Sequence, residues 1–116
     1  MSISRKTTTI VGRRLRERRK ALGWSLEHVG VEIGLDESSA RARISRYELG
    51  EHQPAEETAM LLAKVLGVPY AYLHCENDRL AEIILATSEL PASDQEQMLQ
   101  SLRERIALRQ ASAPRK

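Results

Sequence analysis

Ser25 to Gly50 reads SLEHVGVEIGLDESSARARISRYELG, and this stretch predicts two helices hinged at a glycine. Ser25 supplies a side-chain oxygen suited to cap the first helix, with His28 where a capping box would carry Glu. Leu26, Val29 and Ile33 form an inner stripe over Leu26 to Ile33. Gly34 follows as a stop, where a left-handed backbone is cheap only for glycine. Asp36 or Ser39 then caps a second helix that runs to about Glu48 and ends at Gly50. Two short helices joined through a glycine-containing turn make a helix-turn-helix.

The second helix carries the chemistry. With Ile44 set inward and a step of about 100° per residue, Ala40, Tyr47 and Glu48 fall within about 60° of the core direction. Ala42 and Arg46 point straight outward. Ser39 and Arg43 lie on one flank, Ser38 and Ser45 on the other, and Arg41 nearer the core edge. An outer face of Arg, Ser and Ala suits the DNA major groove. Arg grips guanine with two hydrogen bonds, Ser donates or accepts, and Ala meets a thymine methyl. The bland alternative is a solvated helix with a basic face, and the face alone leaves both open.

Outside this stretch the periodicity is helical throughout. A helix fits Ile10 to Leu22, capped by Thr9, closed by Gly23 and apolar at Val11, Leu15 and Leu22. After Pro54, further helices fit Glu56 to Leu66, Pro69 to about Cys75, and Asp78 to Ser88. The last fits Asp94 to about Gln110, with Ser93 and Glu96 as a capping box. Aromatics are 3% of the chain and Phe is absent, which favours an all-α core of Leu, Ile, Val and Ala. The net charge of +2 hides an asymmetry. Met1 to Lys20 holds eight Lys and Arg against one acid, whereas Glu51 to Leu90 holds two against seven. A basic end and an acidic middle suggest separate faces for phosphates and for something else, although a solvated basic tail has the same charge.

The run LRERRKALGWSLEHVGVEIGL…ISRYELGEHQP…LLAKVLGVPYAYL resembles the Cro/repressor (Xre-type) helix-turn-helix family over Val11 to Leu73. Its marks are Leu15 and Arg19, Gly23 and Ser25, Gly34, then Ile44, Ser45 and Glu48, Gly50 and Pro54, and Leu62 to Leu73. The resemblance implies a lambda-repressor-like bundle of five helices, here with one or two additional C-terminal helices. It also implies dimeric binding to operator DNA and control of transcription. Arg19 and Glu48 match a family pair that ties the first helix to the end of the third, which implies a structural ion pair.

Two departures stand out. Leu26 replaces a Gln that often touches phosphate in the family. Between Gly34 and Ile44 the family commonly has five residues, and this chain has nine, Leu35 to Arg43. Four extra residues are close to one helical turn, about 6 Å of rise. They either lengthen the reading helix or swell the turn. The longer helix is favoured, because Asp36 can cap it and DESSARAR contains neither Gly nor Pro.

The expected organisation is a flexible basic arm at 1–9, a DNA-binding domain at 10–75, a C-terminal helical extension at 76–110 and a disordered tail at 111–116. Base-reading candidates are Ser38, Ser39, Arg41, Ala42, Arg43, Ser45 and Arg46. Phosphate candidates are Arg13, Arg14, Arg16, Ser25, His52 and Gln53. Leu80, Ile83, Ile84, Met98, Leu99, Leu102 and Ile106 could fold back on the core or form a dimer interface; dimerisation is favoured because two half-sites need two copies. His28, His52, His74 and Cys75 match no zinc spacing, so neither metal nor cofactor is expected. No nucleophile–base constellation suggests an enzyme. No apolar run approaches a membrane span, no signal peptide is visible, and the single cysteine fits a cytoplasmic protein. The expected function is a sequence-specific double-stranded DNA-binding regulator, a repressor acting as a homodimer. The alternative is an antitoxin or adaptor that chiefly binds a regulatory protein partner.

Overall fold

The structure is a computed structural model that describes residues 8–114. Residues 1–7 of the expected arm and 115–116 of the expected tail lie outside it. The described residues form seven helices and no strand: α1 (Ile10–Leu22), α2 (Leu26–Glu32), α3 (Glu37–Leu49), α4 (Glu56–Leu66), α5 (Tyr70–His74), α6 (Asp78–Ser88) and α7 (Ala92–Ser112). They divide into two compact units, one ending at Leu85 and the other beginning at Ala86.

The first unit is built around one core. Leu15 of α1, Val29 of α2, Ile44 of α3, Leu62 and Leu66 of α4 and Leu73 of α5 are its largest fully buried side chains. Each comes from the apolar stripe of a short helix too small to be stable alone, so packing supplies most of its stability. The caps suit this arrangement. Thr9 accepts from the Gly12 amide at 3.0 Å, and Ser25 from the His28 amide at 3.0 Å. Burial of Leu side chains at this level contributes about 1.5–3 kcal/mol each.

In α6 the buried residue is Ala81, flanked by partly buried Ile84 and Leu85. Leu80 and Ile83 are about half exposed. Ile84 therefore packs on the core, unlike its expected neighbours in a dimer face. With Ala81 buried, Ile84 and Leu85 fall on its side of the helix, while Leu80 and Ile83 stay accessible.

Arg14 explains how α6 is held. It is a buried arginine, 3% exposed. Its Nε and Nη2 donate to the Cys75 carbonyl at 3.0 and 2.7 Å, Nη2 also donates to Asp78 Oδ1 at 3.0 Å, and Nη1 donates to Glu17 Oε1 at 3.1 Å. The guanidinium carbon stands 5.7 Å from the Tyr72 ring centre, within cation–π range. Burial alone lowers the Arg14 pKa, but the bonds and charges of Asp78 and Glu17 outweigh it and raise the value. Arg14 is thus withdrawn from the phosphate candidates: its donors already serve the α5–α6 junction.

The Asp78 carboxyl is held below its ordinary range, first by the Arg14 hydrogen bond and then by Arg13. A depressed folded value means stability that is present above the ordinary carboxylate range and lost as pH falls through the depressed value. Asp78→Asn should therefore unfold more readily near neutrality and show a flatter acid limb below about pH 4. Thermal melts at several pH values check this; parallel acid limbs would remove Asp78 from the account.

The second unit is dominated by α7. It begins at Ala92, with Pro91 in the capping position. Ser93 therefore lies inside the helix and makes no capping box. The fixed φ of proline, here −65°, presets the entry that the Ser93 cap was expected to supply. Gln95 donates from Nε2 to the Thr87 carbonyl at 2.6 Å. The helix continues to Ser112, whose hydroxyl donates to the Leu108 carbonyl at 3.1 Å, so Ala111 and Ser112 are helical and not part of a frayed tail.

Candidate nucleic-acid interface

The turn between α2 and α3 spans a few residues and depends on Gly34, whose φ is 97°. Residue Leu35 returns its amide to the Gly30 carbonyl at 3.0 Å. Then α3 begins at Glu37 with Asp36 in the cap position. The nine residues between Gly34 and Ile44 thus go almost entirely into helix, and α3 is 13 residues long.

That extra turn of helix is packed, not appended. Ala40, one of the nine, is fully buried. It sits against Gly30 so closely that a Cβ on Gly30 would lie 2.5 Å from the Ala40 Cβ and 2.8 Å from its Cα. Two small residues let the helix backbones meet, and this crossing sets the attitude of α3. Sequence reading missed it. The available signal was a glycine inside a seven-residue helix, which is costly there unless space demands it.

The other end of α3 is pinned by α1. Arg19 Nε donates to Glu48 Oε2 at 2.6 Å and Nη2 to Oε1 at 3.0 Å, a two-pronged pair with little solvent access. The hydrogen bond to Glu48, countered in part by burial, raises the Arg19 pKa. Its Nη1 donates to the Trp24 carbonyl at 2.9 Å, so the guanidinium also fixes the α1–α2 turn. Trp24 itself packs edge-on against His28, with ring centres 4.5 Å apart. Thr8 Oγ1 donates to the Glu48 carbonyl at 2.5 Å, and Gly12 lies directly under the Tyr47 and Glu48 carbonyls. Thr8 and Thr9 thus belong to the fold rather than to an arm.

Between these two anchors α3 presents its outer face. Ser38, Ser39, Arg41, Ala42, Arg43 and Arg46 are exposed, and Ser45 is half-buried at the edge. No carboxylate pairs with Arg41, Arg43 or Arg46 among the described residues. Their charges are therefore available to an anionic partner.

The remaining phosphate candidates divide. Arg13 donates to Asp78 at 3.0 Å and to Glu17 at 3.4 Å, so its charge is already matched and a phosphate there would meet two acids. It is withdrawn along with Arg14. Arg16, Ser25, His52 and Gln53 are exposed. The Ser25 oxygen accepts from the His28 amide, which leaves its hydroxyl hydrogen free to donate to a phosphate. Leu26 is partly buried against the core, in keeping with the loss of a polar contact at that position.

A buried small-residue crossing, an α3 pinned at its far end and a basic outer face without acidic partners among the described residues fit a helix-turn-helix DNA-binding protein. A family model described as helix-turn-helix matches residues 15–73, just over half the chain. The chain belongs to this Cro/repressor-like (Xre-type) helix-turn-helix family. It is also similar to the crystal structure of transcriptional regulator BswR, at 40% identity and a TM-score of 0.77, over 80% of this chain and 92% of that one. A search of curated proteins gives no match. Together these make the chain a DNA-binding transcription regulator. No described helix is long and apolar enough to cross a membrane.

Proposed function

We propose that the protein is a dimeric, cytoplasmic repressor that reads operator DNA with the outer face of α3. The carrying observation is that face itself: three arginines without acidic partners among the described residues, interleaved with Ser38, Ser39, Ala42 and Ser45, on a helix fixed at both ends. Arg43 and Arg46 suit bidentate contacts to guanine, the serines suit either donor or acceptor edges, and Ala42 suits a thymine methyl. Arg41, nearer the core edge, reads from the side of the groove. Arg16, Ser25, His52 and Gln53 hold the phosphates and set register without reading sequence. The extra helical turn carries Ser38 and Ser39 beyond the usual start of such a helix. Repression requires only that the operator be occupied, which this surface does unaided. Two half-sites about one DNA turn apart call for two copies, and the exposed Met98, Leu99, Leu102 and Ile106 on α7 offer the apolar face, with Leu80 and Ile83 on α6 as further candidates.

The test begins with selection of bound sites from a random duplex pool. Arg46→Ala should then weaken the selected site by about 1–3 kcal/mol and random duplex by less. Equal losses on both would make Arg46 a phosphate contact. Affinity should also fall steeply with salt, with a log–log slope near −0.9 per phosphate contact. A salt-insensitive protein that selects no site would overturn the reading.

A further inference from the structure

We propose that two copies of this chain associate through antiparallel α7 helices, with Asp94 of one copy placed against Arg109 of the partner subunit. The proposal rests on the dimeric reading and the α7 face given above, and adds the direction and the register.

The helix is 21 residues long, about 31 Å, and buries none of its side chains. At about 100° per residue, Gln95, Met98, Leu99, Leu102, Arg105, Ile106 and Arg109 all lie within about 60° of Leu102. The apolar centre is thus flanked by polar ends on one face. Met98, Leu99, Leu102 and Ile106 are each more than a third exposed. A shallow depression along this helix, lined in part by Leu90, Asp94, Met98, Leu102 and Arg105, gives a partner side chain somewhere to sit.

Charge decides the direction. The first half of α7 holds Asp94 and Glu96 and no base. The second half holds Arg103, Arg105 and Arg109 with only Glu104 opposed. Asp94, Arg105 and Arg109 lie on the same flank of the stripe. In a two-fold antiparallel pair, like flanks face each other and opposite ends meet. The acid of one helix then stands beside the arginines of the other, and the helix dipoles oppose. In a parallel pair each residue stands level with its own copy. Arg109, close to the centre of the stripe, would then face Arg109 of the partner subunit, and the acidic ends would also coincide. With the two-fold axis at Leu102, Met98 lies opposite Ile106 of the partner subunit, and Asp94 lies one residue from the position opposite Arg109.

Disulfide trapping tests direction, and charge reversal tests the pair, both in full-length protein. In a Cys75→Ser background, Met98→Cys mixed with Ile106→Cys should cross-link under mild oxidation, and Met98→Cys alone should not. Asp94→Arg and Arg109→Asp should each weaken self-association about tenfold, and the double reversal should restore it. Circular dichroism of each variant reports that the helices remain. A Met98→Cys homodimer would overturn the direction and leave the dimer standing. A dimer by sedimentation that traps neither pair would place the interface elsewhere and overturn the proposal. A protein that stays monomeric while binding its selected DNA site would overturn the dimeric reading itself.

Discussion

Glu48→Ala is expected to destabilise the first unit by about 3–5 kcal/mol, because it leaves the Arg19 guanidinium desolvated and without its anion. Three features raise the cost above that of a surface pair. Glu48 is 6% exposed and the Arg19 side chain 12%, so water can replace the lost carboxylate only after local opening. Both carboxylate oxygens are engaged, so no residual acceptor remains. The same guanidinium holds the Trp24 carbonyl, so its displacement also loosens the start of α2. In a domain of this size the loss lowers the melting temperature by more than about 12 °C.

The conservative Glu48→Gln keeps one acceptor and the side-chain volume and should lose roughly half as much. Arg19→Met with Glu48→Leu removes both charges and replaces them with apolar volume; buried pairs exchanged in this way often lose little stability. If that double variant is stable yet binds DNA poorly, the pair's role is the attitude of α3. If Glu48→Ala melts within about 1 °C of the parent, the pair is not a structural one. The raised Arg19 pKa means that no accessible alkaline pH mimics the loss from the arginine side.

Much of this fold was legible because its short helices announce their ends. The bounds of α1, α4 and α6 follow from Thr9, Gly23, Gly67 and the apolar spacing between them. The outer face of α3 followed from setting Ile44 inward, since one correctly placed core residue fixes every other direction on a helix. What stayed hidden depends on three-dimensional neighbours. Arg13 and Arg14 look like their neighbour Arg16, and only the approach of Asp78, 64 residues from Arg14, distinguishes them. The sequence left Leu80, Ile83 and Ile84 open between core and interface, and only the buried Ala81 shows that Ile84 belongs to the core side. The start of α7 was misread because a good capping sequence at Ser93 competed with a proline that had already set the backbone. Gly30 and Ala40 share no pattern in the chain, and their meaning is the contact between them.

That contact supplies the second large effect. Gly30→Ala should destabilise the protein by about 1–3 kcal/mol, with the opposite sign to its expected effect on an exposed helix. In isolation the change favours helix by about 1 kcal/mol. Here the new methyl would lie 2.5 Å from the Ala40 Cβ, 2.8 Å from its Cα and 3.0 Å from its carbonyl oxygen. Carbon atoms pack at about 3.5–4.0 Å, so the helices must part by roughly 1 Å. The obstacle includes backbone, so no side-chain rotation relieves it. Since α3 is held at its far end by Arg19 and Thr8, the displacement falls on its first turns, where Ser38 and Ser39 stand. Recognition geometry tolerates about 0.5 Å, so specific DNA binding should fall further than stability alone explains, while salt-sensitive binding to random duplex persists. Ala40→Gly in the same chain removes the Cβ clash but not the approach to the Cα and carbonyl, and should restore part of the specific affinity. If Gly30→Ala is neutral or stabilising, α2 and α3 do not meet at this point, and the lengthened helix owes its position to the Arg19–Glu48 end alone.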